Sequence, residues 1–167
     1  GAEALVLGDE NLLPSLPGGK IGDQNSAPYD AQQRWEALLG EIRQRYSGSI
    51  IWRSTGLGQD QIPDLVSRMD GLFIVCNQNL SDAEIISPDD LEQAWTNYFE
   101  NELRSVRDRL DKPVWVGLAY PSVDRSASGC VMSGESCIPK SVFAQAGLDI
   151  PRTTLDLGEQ AEIYYAA

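Results

Sequence analysis

Histidine is absent from this 167-residue chain. Without an imidazole there is no Ser-His-Asp or Cys-His catalysis, and the commonest zinc ligand is missing. Acid–base chemistry falls to carboxylates, with Tyr and Lys as lesser candidates. Positive charge is also short: 13 Lys and Arg stand against 25 Asp and Glu, a net charge of −12. Such a surface repels phosphate backbones and excludes nucleic acid as the expected partner, its ordinary role being solubility. No apolar run reaches the ~18 residues of a membrane helix, so no membrane span is expected in this chain. No signal peptide is visible. No GxGxxG or GxxxxGK[ST] follows any strand, so no nucleotide cofactor is expected, and Gly56-Leu57-Gly58 reads as a turn.

Cysteine is sparse, at three residues. Cys130 and Cys137 enclose the short loop Val-Met-Ser-Gly-Glu-Ser, which closes either as a disulfide or as two free thiols. Metal binding asks for CxxC-type spacing and more ligands, so no metal is expected, nor any other cofactor. A disulfide implies an oxidising compartment, hence an extracellular or cell-surface location. Cys76 ends an apolar strand and reads as a buried small hydrophobe.

What is present is an ordinary globular composition, 42% hydrophobic and 23% charged, with the length for one domain and a real core. Four short apolar runs, at 4–8, 49–53, 72–76 and 114–119, suit buried parallel strands. Helical patterns lie between and after them. One at 29–46 carries Trp35, Leu38, Leu39, Ile42 and Tyr46 on one stripe. A shorter one lies at 61–69. Another runs from the Ser87-Pro88-Asp89-Asp90 cap to residue 110, and a last one covers 155–167. Strand alternating with helix predicts an α/β fold with a parallel sheet. Four βα units are half of a TIM-type (β/α)8 barrel, and the small open doubly wound sheet is the competing architecture. The chain begins at Gly1 with strand-like residues from Ala4, and residues 1–167 read as one barrel-like domain, a piece of a longer protein.

The first strand is followed by Gly8-Asp9-Glu10. In parallel barrels the C-terminal strand ends form the catalytic face. Side chains alternate along a strand, so Glu10 is expected to share the inner face with Gly8, Val6 and Ala4. Glu10 is thus the candidate acid/base. Trp52 and Tyr120, near strand ends, are candidate sugar-stacking platforms, and Asn77 and Gln78 are candidate hydrogen-bonding partners for hydroxyls. Trp115 reads as core filling on the face of Gly117. Asp70, at the start of its strand, reads as structural. The loop at 11–27 is long for a βα connection, and long loops in compact domains are often functional.

Gly8-Asp9-Glu10 resembles the Gly-Asn-Glu acid/base motif on the fourth strand of retaining glycoside hydrolases with (β/α)8 barrels. The run from Trp35 to Ile50 is similar to their following helix and fifth strand, particularly in β-mannanase-like members. Asp70-Gly71-Leu72-Phe73-Ile74 resembles the sixth strand, and the run from Lys112 to Ser122 the seventh. Residues 156–165, with Gln160 and Tyr164, resemble the helix after it. The resemblance implies the C-terminal half of such a barrel, with Asp9 in place of the substrate-holding Asn. It also puts Gly117 where the nucleophilic Glu belongs, Asp124 in the following loop being the nearest acid. Retaining hydrolysis needs a second carboxylate about 5–5.5 Å from the first. Two expectations follow. One is a carbohydrate-active hydrolase using Glu10 with a partner from elsewhere; the other is a catalytically inactive glycan-binding or structural cell-surface module. Other segments of the parent protein, or a second copy, are expected to complete the barrel and cover its open edges.

Overall fold

Each of the four apolar runs becomes a strand of one parallel sheet. The computed structural model describes residues 2–8, 10–21, 23–57, 62–83, 86–139 and 153–167, and at residues 10, 11 and 13 the backbone alone. Along the chain, β1 (Ala4–Leu7) leads into a 3-10 turn (Glu10–Ser15) and a small hairpin of β2 (Lys20–Ile21) and β3 (Gln24–Asn25). There follow α1 (Ala31–Arg45), β4 (Ser49–Ser54), a 3-10 turn (Asp64–Arg68) and β5 (Gly71–Cys76). Next come α2 (Pro88–Asn97), a π-helical stretch (Tyr98–Leu103), α3 (Arg104–Leu110) and β6 (Val114–Leu118). Beyond a 3-10 turn (Ser126–Ser128) lie the hairpin strands β7 (Cys130–Ser133) and β8 (Ser136–Pro139), and α4 (Leu157–Ala166). Two compact units are distinguished: residues 1–75 with 105–117, and residues 76–104 with 118–167.

In the first unit the sheet order is β1-β4-β5-β6, with parallel pairing. Val6 pairs with Ile51 and Leu7 with Trp52, while Trp52 pairs with Leu72 and Arg53 with Phe73. Alternation therefore puts Ile50, Trp52, Leu72 and Ile74 on one face, where all four are buried to 1% exposure or less. The opposite face carries Val6, Ile51, Arg53, Phe73, Trp115 and Gly117. Here Val6 is 51% and Trp115 43% exposed. Parallel sheets are ordinarily covered on both faces. Among the described residues this second face is covered only in part, Ile51 being 8% exposed.

Asp70 anchors the start of β5. Its N–H donates to Ile50 O (2.8 Å), its carboxylate accepts the Ile50 N–H (2.7 Å), and it forms an ion pair with Arg43. Burial works against its ionisation, but the Arg43 guanidinium and the Ile50 N–H outweigh this and hold the carboxyl below its usual range. Trp35 on α1 meets Trp52 edge-on at 6.3 Å, and its indole N–H donates to Ser15 O (3.1 Å). Leu38, placed on the apolar stripe of α1 by periodicity, is instead exposed.

In the second unit Ser87 caps α2 by accepting the Asp90 N–H (3.1 Å), with Pro88 in the first turn. Leu91 and Trp95 are buried on this helix, and the Trp95 indole donates to Ile163 O of α4 (3.1 Å). The expected helix to residue 110 changes to π-helical winding at Tyr98. Within the short helix expected at 61–69, Asp64–Arg68 form a 3-10 turn, and residue 61 lies outside the described residues. The sulfurs of Cys130 and Cys137 lie at bonding distance, 2.16 Å, and link β7 to β8.

Candidate functional site

β1 stops at Leu7 because Gly8 adopts φ 97°, and only glycine fits there. A Cβ on Gly8 would stand 2.5 Å from Arg53 O and 2.8 Å from the Trp52 ring. The strand alternation used to aim Glu10 therefore does not extend past Gly8. Glu10 opens the 3-10 turn that follows, three residues past the end of β1, where strand alternation no longer sets a side chain's direction. Asp9 lies outside the described residues.

On the partly covered sheet face two aromatic rings lie over two glycines of neighbouring strands. The nearest Phe73 ring atom is 2.7 Å from the place a Cβ of Gly117 would take. The Trp115 ring likewise occupies the space of a side chain at Gly71. Position 117, where the resemblance expects a nucleophilic carboxylate, is thus filled by a phenyl ring from β5. Trp115, expected as core filling, is 43% exposed on this face.

The other sequence candidates divide by burial. Trp52 is fully buried against Trp35 and presents no ring face to a sugar. Tyr120, 2% exposed, is likewise a packing residue: its ring meets Trp95 edge-on at 5.9 Å and its hydroxyl donates to Gln78 O (2.8 Å). Burial pushes the Tyr120 phenol well above the ordinary tyrosine range, so it stays protonated near neutral pH. The structure therefore joins two of the predicted residues, Gln78 and Tyr120, but as a structural contact. Asn77 remains exposed just past β5. Gln160 donates to Tyr120 O (2.7 Å) and accepts from Ser122 Oγ (2.6 Å), while Tyr164 donates to Leu118 O (3.3 Å). These two residues of α4 hold the segment after β6. Cys76 is buried as expected, its thiol 3.2 Å from the Tyr98 hydroxyl and pushed up in pKa by that burial.

One cluster went unread. Asp124, Asp156 and Glu159 bring carboxylate oxygens within 4.8 Å of one another, half-buried. Carboxylate oxygens are the donor type that calcium takes, although it takes about six to eight of them. Two of the acids also have local work. Asp156 caps α4 by accepting the Glu159 N–H (2.8 Å), and the Glu159 carboxylate accepts the N–H groups of Arg125 (2.6 Å) and Ala127 (2.8 Å). Burial pushes the Glu159 carboxyl up; the two N–H groups pull it back, and Asp124 and Asp156 push it up again, leaving it raised. The D-x-x-E spacing at a helix start was the available signal.

No family model, curated protein or solved structure matches this chain.

Proposed function

We propose that this chain is the C-terminal half of a glycoside-hydrolase-like (β/α)8 barrel that binds carbohydrate without hydrolysing it, in an extracellular or cell-surface setting. The observation that carries the reading is the sheet face on which the apolar Val6 and Trp115 stand exposed. A barrel interior half-built from four consecutive βα units would present just such a face, awaiting the strands that complete it. The Phe73 ring over Gly117 supports the silent version, since the expected nucleophile position holds no carboxylate and a side chain there would have to displace the ring. The Cys130–Cys137 pair, and the absence among the described residues of a helix long and apolar enough to cross a membrane, are compatible with the location.

A second reading keeps Glu10 as the acid/base of a hydrolase. It is favoured by the position of Glu10 immediately after the C-terminal end of β1, and it needs a carboxylate from another segment or copy. Incubating the chain and Glu10→Gln with β-mannan, xylan and cellulose oligomers separates the two. Binding by both proteins with no hydrolysis supports the binding module. Hydrolysis by wild type that is lost in Glu10→Gln overturns it in favour of the enzyme.

A further inference from the structure

The long loop after β1 builds a notch of about 240 Å³ whose rim includes Pro17, Asn25, Pro28, Tyr29 and Gln32. Its frame is fixed by hydrogen bonds: Gly19 N–H donates to Leu16 O (2.8 Å), Gly19 O accepts from Ser26 (3.0 Å) and Ala27 (3.4 Å), and Ser26 Oγ donates to Pro14 O (2.7 Å). Leu16 is buried beneath it. The notch is preformed rather than left to be ordered by a ligand, which lowers the entropy cost of binding.

Tyr29 is 102% exposed. It precedes the Asp30 N-cap of α1, the position from which an apolar residue can staple to the fourth helical residue. That residue is Arg34, which is turned to Asp30 (2.9 Å), so the ring has no apolar partner there. Gln32 donates its amide to Glu36 (2.6 Å), leaving its carbonyl oxygen as an acceptor. Apart from the Tyr29 phenol the lining carries no titratable side chain, in a chain where 23% of residues are charged. An aromatic face, two amides and no ionised group match a neutral polyhydroxylated ring: apolar C–H faces stack on the phenol, and hydroxyls meet the amides. The volume, below the ~300–1,000 Å³ of drug-sized sites, suits one ring rather than a chain.

We infer that this notch is a subsite for one neutral pyranose unit of a glycan, with Tyr29 as the stacking platform and Asn25 and Gln32 as the hydroxyl partners. The inference rests on the carbohydrate-binding reading and goes beyond it in naming the place and the ligand class. Titration calorimetry with mannohexaose, cellohexaose and trigalacturonate tests it on the chain and on Tyr29→Ala, Asn25→Ala and Trp115→Ala, with thermal midpoints checked for each. The expected result is binding of a neutral hexaose that Tyr29→Ala weakens tenfold or more and Asn25→Ala severalfold, with midpoints unchanged. Equal affinity in those two variants, with loss in Trp115→Ala, would overturn the subsite and leave the binding reading standing. Preference for trigalacturonate would overturn the ligand class. An altered sedimentation coefficient of Tyr29→Ala with unchanged sugar affinity would assign the notch to self-association instead. No binding of any of the three sugars by wild type would overturn both readings.

Discussion

A glutamate introduced at Gly117 meets the Phe73 ring before it meets any substrate. Overpacking of this kind costs about 1–3 kcal/mol, so Gly117→Glu is expected to lower the urea midpoint without conferring hydrolysis. Adding Phe73→Ala should recover part of that loss, a coupling that a double-mutant cycle reads directly. Asp70 gives a pH test at the same scale. Its pKa is depressed on folding below the ordinary 3.8. Its contribution to stability is therefore present above about pH 4 and lost as pH falls through the lower folded value. Asp70→Asn should be less stable than wild type at pH 7, and the gap should close below that point in denaturation curves run from pH 7 to 2. Sequence alone placed Asp70 as structural, because an acid before a buried strand finds backbone donors. It misplaced Trp52 and Tyr120, because nearness to a strand end says nothing about which face a ring takes or what lies over it.

The strands were legible because four apolar runs of strand length are bounded by breakers, and their parallel order follows from the helices between them. The α2 start was legible too, since Ser-Pro-Asp-Asp satisfies the first-turn donors and the dipole together. Ser87→Ala should cost about 1 kcal/mol, a fall in the thermal midpoint of about 2–4 °C for a chain of this size. The two hairpins were not legible: β2 and β3 are two residues each and carry no alternation long enough to register. The aim of Glu10 was not legible for a related reason: it lies three residues past the end of β1, beyond a glycine whose left-handed φ resets the direction of the chain. The β7–β8 hairpin closes an eight-residue loop through its cysteines. Chain-entropy arguments give such a link about 2–3 kcal/mol. Replacing both cysteines by alanine should lower the chain's resistance to urea by up to that amount under oxidising conditions, and leave it unchanged when wild type is reduced.

For the whole molecule, the opposing facts are the apolar sheet face and the charge of −12. Self-repulsion keeps copies apart at low ionic strength, and salt shortens its reach from about 30 Å at 0.01 M to about 3 Å at 1 M. Sedimentation should therefore show a mass average that rises with salt, and Trp115→Ser should suppress the rise; an unchanged mass at 1 M salt would mean the face is not adhesive by itself. The exposed sheet face also has a calorimetric consequence. A chain of this length is expected to unfold with a heat-capacity change of about 2–2.5 kcal/mol/K. Because water already wets part of its apolar interior surface, this chain should fall short of that figure. A partner that covers this face should restore the deficit as a negative heat capacity of association. Cover for the exposed face is thus measurable as heat before it is seen.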